Sequence, residues 1–236
     1  YRAIGEFKRY LFLTPSGIHA DSAIINIGSS FFSAGRYDEV ISWYKKYETN
    51  KRSKFYATRN LLLGKSYYRL GNYNRTLRIF LNELDNEEPE GIRNAFKFYV
   101  GLSYIQLDKY LEGKAAFKSI NLSSEYYPKA QYYSSLLDND ERYSQKSIAK
   151  AGILSIVPGI GYAYCGYHRS ALSSIITNGL LLWASVNAFE NENAGAGSFF
   201  SMLFIGFYAG NIYGSIQSAN RYNSFHRIKY LEQFQE

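Results

Sequence analysis

The distribution of apolar and polar positions changes abruptly along this chain of 236 residues. Up to Ser147, apolar residues recur at i, i+3 and i+7 among charged and polar neighbours, the stripe of an amphipathic helix. From Ile148 to Ala219 the only charged side chains are Lys150, Arg169, Glu190 and Glu192. Within that region Ala171–Glu190 carries one charge, at its end, and Gly197–Ile216 carries none. Each is about as long as a helix must be to cross a bilayer, roughly 20 residues at about 1.5 Å per residue. The pattern predicts an all-α protein: a soluble helical array over 1–145, a small helical membrane domain over 146–220 and a polar tail over 221–236.

Three segments of the array share one spacing. The first runs Ile24, Ile27, Gly28, Phe31, Gly35, Tyr37, Val40, Tyr44; the second Asn60, Leu63, Gly64, Tyr67, Gly71, Tyr73, Thr76, Phe80; the third Lys97, Val100, Gly101, Tyr104, Asp108, Tyr110, Gly113, Phe117. The spacing predicts a helix pair per repeat. Gly28, Gly64 and Gly101 let the second helix approach closely, and Gly35 and Gly71 end the first helix in the left-handed conformation. Tyr37, Tyr73 and Tyr110 open the second helix, whose far end is buried by Tyr44, Phe80 and Phe117. Tyr1, Ile4 and Phe7 fit a second helix without its first, so the first repeat is incomplete and the array is expected to begin upstream. Pro128–Leu137 fits a last first-helix, and Asp138–Glu141 marks the polar boundary.

This pattern resembles the tetratricopeptide repeat family. The resemblance implies a solenoid whose concave groove binds a peptide or protein segment. First-helix residues outside the core would line it: Asn26, Ser29, Ser30, Arg59, Lys65, Arg69, Lys97 and Tyr99, the basic ones gripping an acidic motif or a terminal carboxylate. The chain departs from the family where Asp108 replaces a glycine, Asn60 and Lys97 an aromatic residue, and Thr76 and Gly113 an alanine.

In the apolar third, Ala151–Val157 gives only seven apolar residues before Pro158-Gly159, which suits a half-helix that enters a membrane and breaks. Residues 148–167 are therefore expected to be a broken or re-entrant segment, and 171–190 and 197–218 transmembrane helices. Pro158, Gly159, Gly161, Tyr164 and Gly166 resemble the turn of small bacterial helical-hairpin membrane domains, the TM2-like group; Tyr162 stands where that turn often has glutamine. The fusion to repeats, with Tyr-Ala-Gly-Asn-Ile-Tyr-Gly at 208–214, is similar to bacterial envelope proteins associated with membrane-protein insertion. Gly206, Gly210 and Gly214, with Ser218 continuing the row, share one helix face and permit very close helix packing. The partner is either Ala171–Phe189 of the same chain, or a second copy or partner helix. Asn178, Asn187 and Asn211 read as interhelical hydrogen-bonding groups, and no charge lies mid-span to suggest transport.

Flanking charge sets orientation. Lys146 and Lys150 precede the first segment, Arg169 the second, and Arg221, Arg227 and Lys229 follow the third, while the 190–196 connection is acidic. The positive-inside rule puts Arg169 and the tail in the cytoplasm. The repeats are then cytoplasmic if 148–167 re-enters and extracytoplasmic if it crosses, and the sequence leaves both open. The net charge of +7 is spread along the chain, which argues for a basic surface rather than a nucleic-acid site.

Catalytic and cofactor signatures are missing. His19, His168 and His226 are far apart in sequence, and no phosphate loop or nucleophile elbow occurs. Gly159-Ile160-Gly161 lacks a preceding strand and a third glycine, so no dinucleotide site is expected. The single cysteine, Cys165, lacks an identifiable base and reads as a small buried residue. Glu83–Glu90 reads as a solvated acidic run, and Asn74 and Asn121 head glycosylation triplets of a kind common by chance. The expectation is a scaffold without enzymatic activity, metal or cofactor, in a bacterial membrane, its partners a protein in the groove, lipid and a membrane-protein complex. The alternative is an accessory subunit of insertion or secretion machinery, docked through the glycine row, or a subunit of an enzyme whose active site lies elsewhere.

Overall fold

The computed structural model describes residues 2–47, 51, 53–84, 89–138 and 144–234. Every regular element among them is a helix. The chain divides into two compact units, one reaching Asp138 and the other starting at Ser144 among the described residues. Most of the expected Asp138–Glu141 boundary and much of the 83–90 acidic run lie outside the described residues.

The first unit contains α1 (Arg2–Leu13), α2 (Ala20–Ser33), α3 (Tyr37–Lys46), α4 (Tyr56–Arg69), α5 (Tyr73–Leu84), α6 (Glu90–Gln106), α7 (Tyr110–Lys118) and α8 (Tyr127–Asp138). The pairs α2–α3, α4–α5 and α6–α7 each pack internally, and the second helix of one pair packs on the first helix of the next. The second helices open at Tyr37, Tyr73 and Tyr110, as the spacing predicts.

The reason lies in the paired glycine and aromatic positions. A methyl group added to Gly28, Gly64 or Gly101 would collide with the ring of Tyr44, Phe80 or Phe117 respectively. Each ring thus occupies the volume that a first-helix side chain would take. Phe80 is fully buried and stacks on Phe96 at 4.9 Å. Phe117 packs on Phe98 at 5.8 Å and on Tyr133 at 5.6 Å, which ties α8 to the last pair. Burying such a ring contributes about 2–3 kcal/mol.

Three positions that vary the repeated spacing have local explanations. Thr76 is fully buried, and its hydroxyl donates to the carbonyl of Gly64 at 3.1 Å, so a polar residue is satisfied at the helix crossing. A Cβ at Gly113 would lie 2.7 Å from Ile105 Cδ1 and 3.1 Å from the Gly101 carbonyl. Asp108 takes φ 59°, matching Gly35 at 71° and Gly71 at 74°. Asp is among the few non-glycine residues that visit this region. Its carboxylate accepts a hydrogen bond from Tyr110 Oη at 2.7 Å.

The second unit contains α9 (Ile148–Leu154), α10 (Ile160–Tyr164), α11 (His168–Glu190) and α12 (Ala194–Leu231), with a 3₁₀ turn at Glu232–Phe234. The break at Pro158-Gly159 is present, with Gly159 at φ 88°. Two helices, α11 and α12, are long and apolar enough to cross a membrane. Only 11% of the apolar stretch of each is buried.

The last apolar helix outruns its expected end. α12 does not end near 218: it is one helix of 38 residues, running through most of 221–236. A change from apolar to polar side chains does not stop a helix. Neither glycine nor proline follows Gly214 to break it. Tyr222 and His226, four apart, stack at 3.9 Å along it.

Candidate functional site

Each unit carries a candidate site. In the first, α2, α4 and α6 pack side by side and hold the residues expected to line a groove. Asn26 is exposed on α2, and Ser30 lies one turn on, its hydroxyl donating to the Asn26 carbonyl at 2.7 Å. Lys65 on α4 lies over Phe32 at 5.3 Å and Tyr99 at 5.0 Å, one ring from each neighbouring helix. Arg69 follows one turn further and is exposed. Tyr126 is half-buried near Lys65. Burial raises its hydroxyl pKa above the ordinary value, Lys65 lowers it, and Glu125 raises it.

Arg59 and Lys97 do not belong with these four, which corrects the expected groove. Arg59 Nη2 donates to the carbonyl of Tyr44 at 2.5 Å and Nη1 to Asn60 Oδ1 at 2.9 Å. Lys97 Nζ donates to the carbonyl of Ser119, just past α7, at 2.7 Å. Both cations satisfy carbonyls at the end of a second helix, where the helix dipole favours positive charge. The phase of the helix explains the difference. Arg59 precedes Lys65 by six residues, about 240° around α4 at roughly 100° per residue. Lys97 precedes Gly101 by four and shares the face turned to α7.

In the second unit, the broken segment folds back on itself. Ser147 N–H, at the start of α9, donates to Tyr164 Oη, at the end of α10, at 3.0 Å. Lys146 lies 4.9 Å from the Tyr164 ring. α9, the turn and α10 thus form a hairpin whose two ends meet. Breaking a helix frees backbone donors and acceptors, which cost about 1–3 kcal/mol each if buried and unpaired. Asn211 of α12 takes them up. Its Nδ2 donates to the Ser155 carbonyl at 2.9 Å, and its Oδ1 accepts from Gly159 N–H at 3.0 Å and from Ser174 Oγ of α11 at 2.7 Å. One buried amide therefore joins the hairpin tip, α11 and α12. Tyr208 Oη adds a bond to the Ile156 carbonyl at 2.9 Å.

A second asparagine holds the base of the hairpin. Asn223 Oδ1 accepts from Lys146 N–H at 2.7 Å, and its Nδ2 donates to the Lys146 carbonyl at 2.9 Å. Asn223 lies in the stretch expected to be tail, where no spacing or neighbouring residue singles it out. Asn211 does make the expected interhelical bonds. Asn178 instead donates within its own helix, to the Ser174 carbonyl at 2.9 Å, and Asn187 accepts from Asn191 at the end of α11. Gly161 is buried against Ser155, the Ala151 carbonyl and Ser215, a crossing no side chain would fit. Pro158 borders the turn, and Gly166, at φ 84°, leads toward α11.

The glycine row divides. Gly214 packs against the Tyr162 hydroxyl, and Ser218 is fully buried. Gly206 and Gly210 meet nothing: a Cβ at either would have open space for 4 Å. These two are not packed against Ala171–Phe189, which corrects the intrachain expectation. They form the floor of a cleft of about 930 Å³ along α12, whose opposite wall is a hydroxyl stripe on α11, Ser170, Ser173 and Thr177. The helices meet on other faces, as where Ser185 donates to the Gly197 carbonyl at 3.2 Å.

Among the described residues no cluster of three or more His, Cys, Asp or Glu side chains could hold a metal ion. Cys165 is buried, its thiol 3.9 Å from the Ser215 carbonyl. The helix order defines the class: an all-α chain of stacked helix pairs followed by two long apolar helices with a broken segment before them. In comparisons with known proteins, no family model, curated protein or solved structure matches the chain.

Proposed function

We propose that this protein is a non-enzymatic, membrane-anchored adaptor of the bacterial envelope. Its first unit is a tetratricopeptide-type solenoid that captures a protein segment, and its second is a TM2-like anchor in the inner membrane. The observation that carries the reading is how little of α11 and α12 is buried. A core helix of similar composition in a soluble protein is covered by its neighbours, whereas Leu180, Trp183, Met202 and Ile205 here are 59%, 65%, 78% and 66% exposed. Contiguous apolar surface of this extent calls for lipid or protein around it. Irregular backbone at membrane depth is tolerated where protein covers it, and Asn211 provides that cover.

The hairpin favours one of the two orientations. The contact between Ser147 and Tyr164 supports re-entry, so Lys146 and Arg169 lie on one side of the bilayer. With basic residues inside, the repeats are cytoplasmic. The face bearing Asn26, Ser30, Lys65 and Arg69 is the capture surface.

Site-specific photo-crosslinking in cells tests this. A photoreactive residue at Asn26, Lys65 or Arg69 should trap one and the same partner. The same residue at Ser42 or Glu112, exposed on second helices, should trap none. Equal labelling from both sets removes the capture surface. A second reading, an accessory subunit of insertion or secretion machinery, is favoured by the open faces of Gly206 and Gly210. Gly210→Leu should then lose a co-purifying membrane partner while crosslinks from the repeats persist.

A further inference from the structure

The cleft along α12 changes character from end to end. One end is polar: Arg169, Ser170 and Ser173 on the first turns of α11, with Tyr162 beside them. The other end is apolar, formed by Phe199, Met202 and Leu203 near the start of α12. Between them the floor is Gly206 and Gly210, which project nothing into it. The volume of about 930 Å³ falls within the range that holds a whole organic ligand, roughly 300–1,000 Å³.

We propose that this cleft is a binding site for an anionic phospholipid. The inference rests on the membrane reading above and names a ligand for that unit. The charge arrangement selects the headgroup. Arg169 is exposed at the polar end and offers a planar set of donors suited to a phosphate. No side chain caps the N-terminus of α11, and its first turns carry Arg169, Ser170 and Ser173, so the positive end of the helix dipole lies at the polar end of the cleft. The hydroxyls of Ser170 and Ser173 add donors. The rest of the cleft selects the chain. An acyl tail runs along the two glycines, where any larger residue would block it, and ends among Phe199, Met202 and Leu203. A free anion would gain nothing from that apolar length, and a zwitterionic lipid would place a cation beside Arg169. A partner helix would fill the glycine floor but has no use for an arginine and an uncapped helix end at one mouth.

Native mass spectrometry of the full chain in detergent, with added palmitoyl-oleoyl phosphatidylglycerol or phosphatidylcholine, tests the proposal. We expect phosphatidylglycerol to be retained about tenfold more strongly than phosphatidylcholine. Arg169→Gln should remove that preference, and Gly206→Leu, which points into open space, should remove bound lipid of both kinds. Ser173→Leu fills the cleft from the opposite wall and should act like Gly206→Leu if the latter fails to fold. Unchanged phosphatidylglycerol binding in Arg169→Gln and in both cleft-filling variants overturns the site. So does displacement of the lipid by glycerol 3-phosphate alone, which would mean an anion pocket. If Gly206→Leu spares the lipid but loses a co-purifying membrane protein, the cleft belongs to a partner helix and the lipid proposal is wrong. Flotation of the protein with vesicles of pure phosphatidylcholine is the control. Failure to float overturns the anchor reading, whereas flotation without headgroup preference overturns only the lipid site.

Discussion

The two units solve opposite problems with the same side-chain chemistry. The repeat unit buries rings: Tyr44, Phe80 and Phe117 fill the space left by glycines, with polar side chains such as Thr76 and Asn94 buried beside them. The apolar unit turns its rings and branched chains outward and buries amides and hydroxyls instead, Asn178, Ser185, Asn211, Ser215 and Ser218. In water, burying apolar area drives the packing of helices. Where the surroundings are themselves apolar that drive vanishes, and hydrogen bonds and close contacts between small residues hold helices together. On the membrane reading proposed above the chain divides by solvent, and mutations of one kind should then have opposite costs in the two halves.

The largest effect is expected from exchanging the two currencies. Phe80→Ala should cost the repeat unit about 3–5 kcal/mol. Asn211→Leu, an apolar replacement of similar size, should cost the other unit roughly 3 kcal/mol, because Ser155, Gly159 and Ser174 each lose a partner. Denaturant unfolding of the full chain in detergent measures both. Wild-type stability in Asn211→Leu would show that the hub does not hold the hairpin.

Glycine replacements sharpen the comparison on a smaller scale. Gly64→Ala should destabilise by about 1–3 kcal/mol through overpacking against Phe80, whose ring is held by Phe96. Gly206→Ala should be neutral or stabilise by up to about 1 kcal/mol, since alanine is the better helix former and meets no neighbour. If both lose stability alike, the two halves do not differ in packing at their glycines.

The smallest effect is a pH dependence of the repeat unit. Burial raises the Tyr44 hydroxyl pKa above its ordinary value, and Arg59 opposes the shift without cancelling it. The folded state thus prefers the neutral phenol. Its contribution is complete below about pH 10, the unfolded value, and is lost as the pH climbs toward the folded one. Tyr44→Phe should flatten that alkaline loss in a melting series from pH 8 to pH 11, while Asn211→Leu should leave its slope unchanged.

Much of this was legible beforehand because it depends on short-range spacing. The starts of α3, α5 and α7 follow from the tyrosine two residues after each positive-φ position, whether that position is Gly35, Gly71 or Asp108. The break at Pro158-Gly159 follows from proline's missing N–H. Arg59 and Lys97 were misplaced because a list of basic residues on a helix carries no phase until its core face is known. Which helix, if any, packs on Gly206 and Gly210 was not legible, because a four-residue row says that a helix can approach, not that one does.

The sequence by itself determined the helical class, the close approach of each helix pair at its glycine, the break before α11 and the two stretches able to cross a membrane. Composition and periodicity act over a few residues and need no knowledge of the partner. Only the tertiary structure decided that Asn211 and Asn223 close the hairpin on itself, that two glycines of the row face an open cleft, and that two expected groove cations bind carbonyls instead. Those outcomes depend on which groups meet between helices, 15 residues apart for Arg59 and Tyr44 and 52 for Gly159 and Asn211, and such meetings are set by how helices pack.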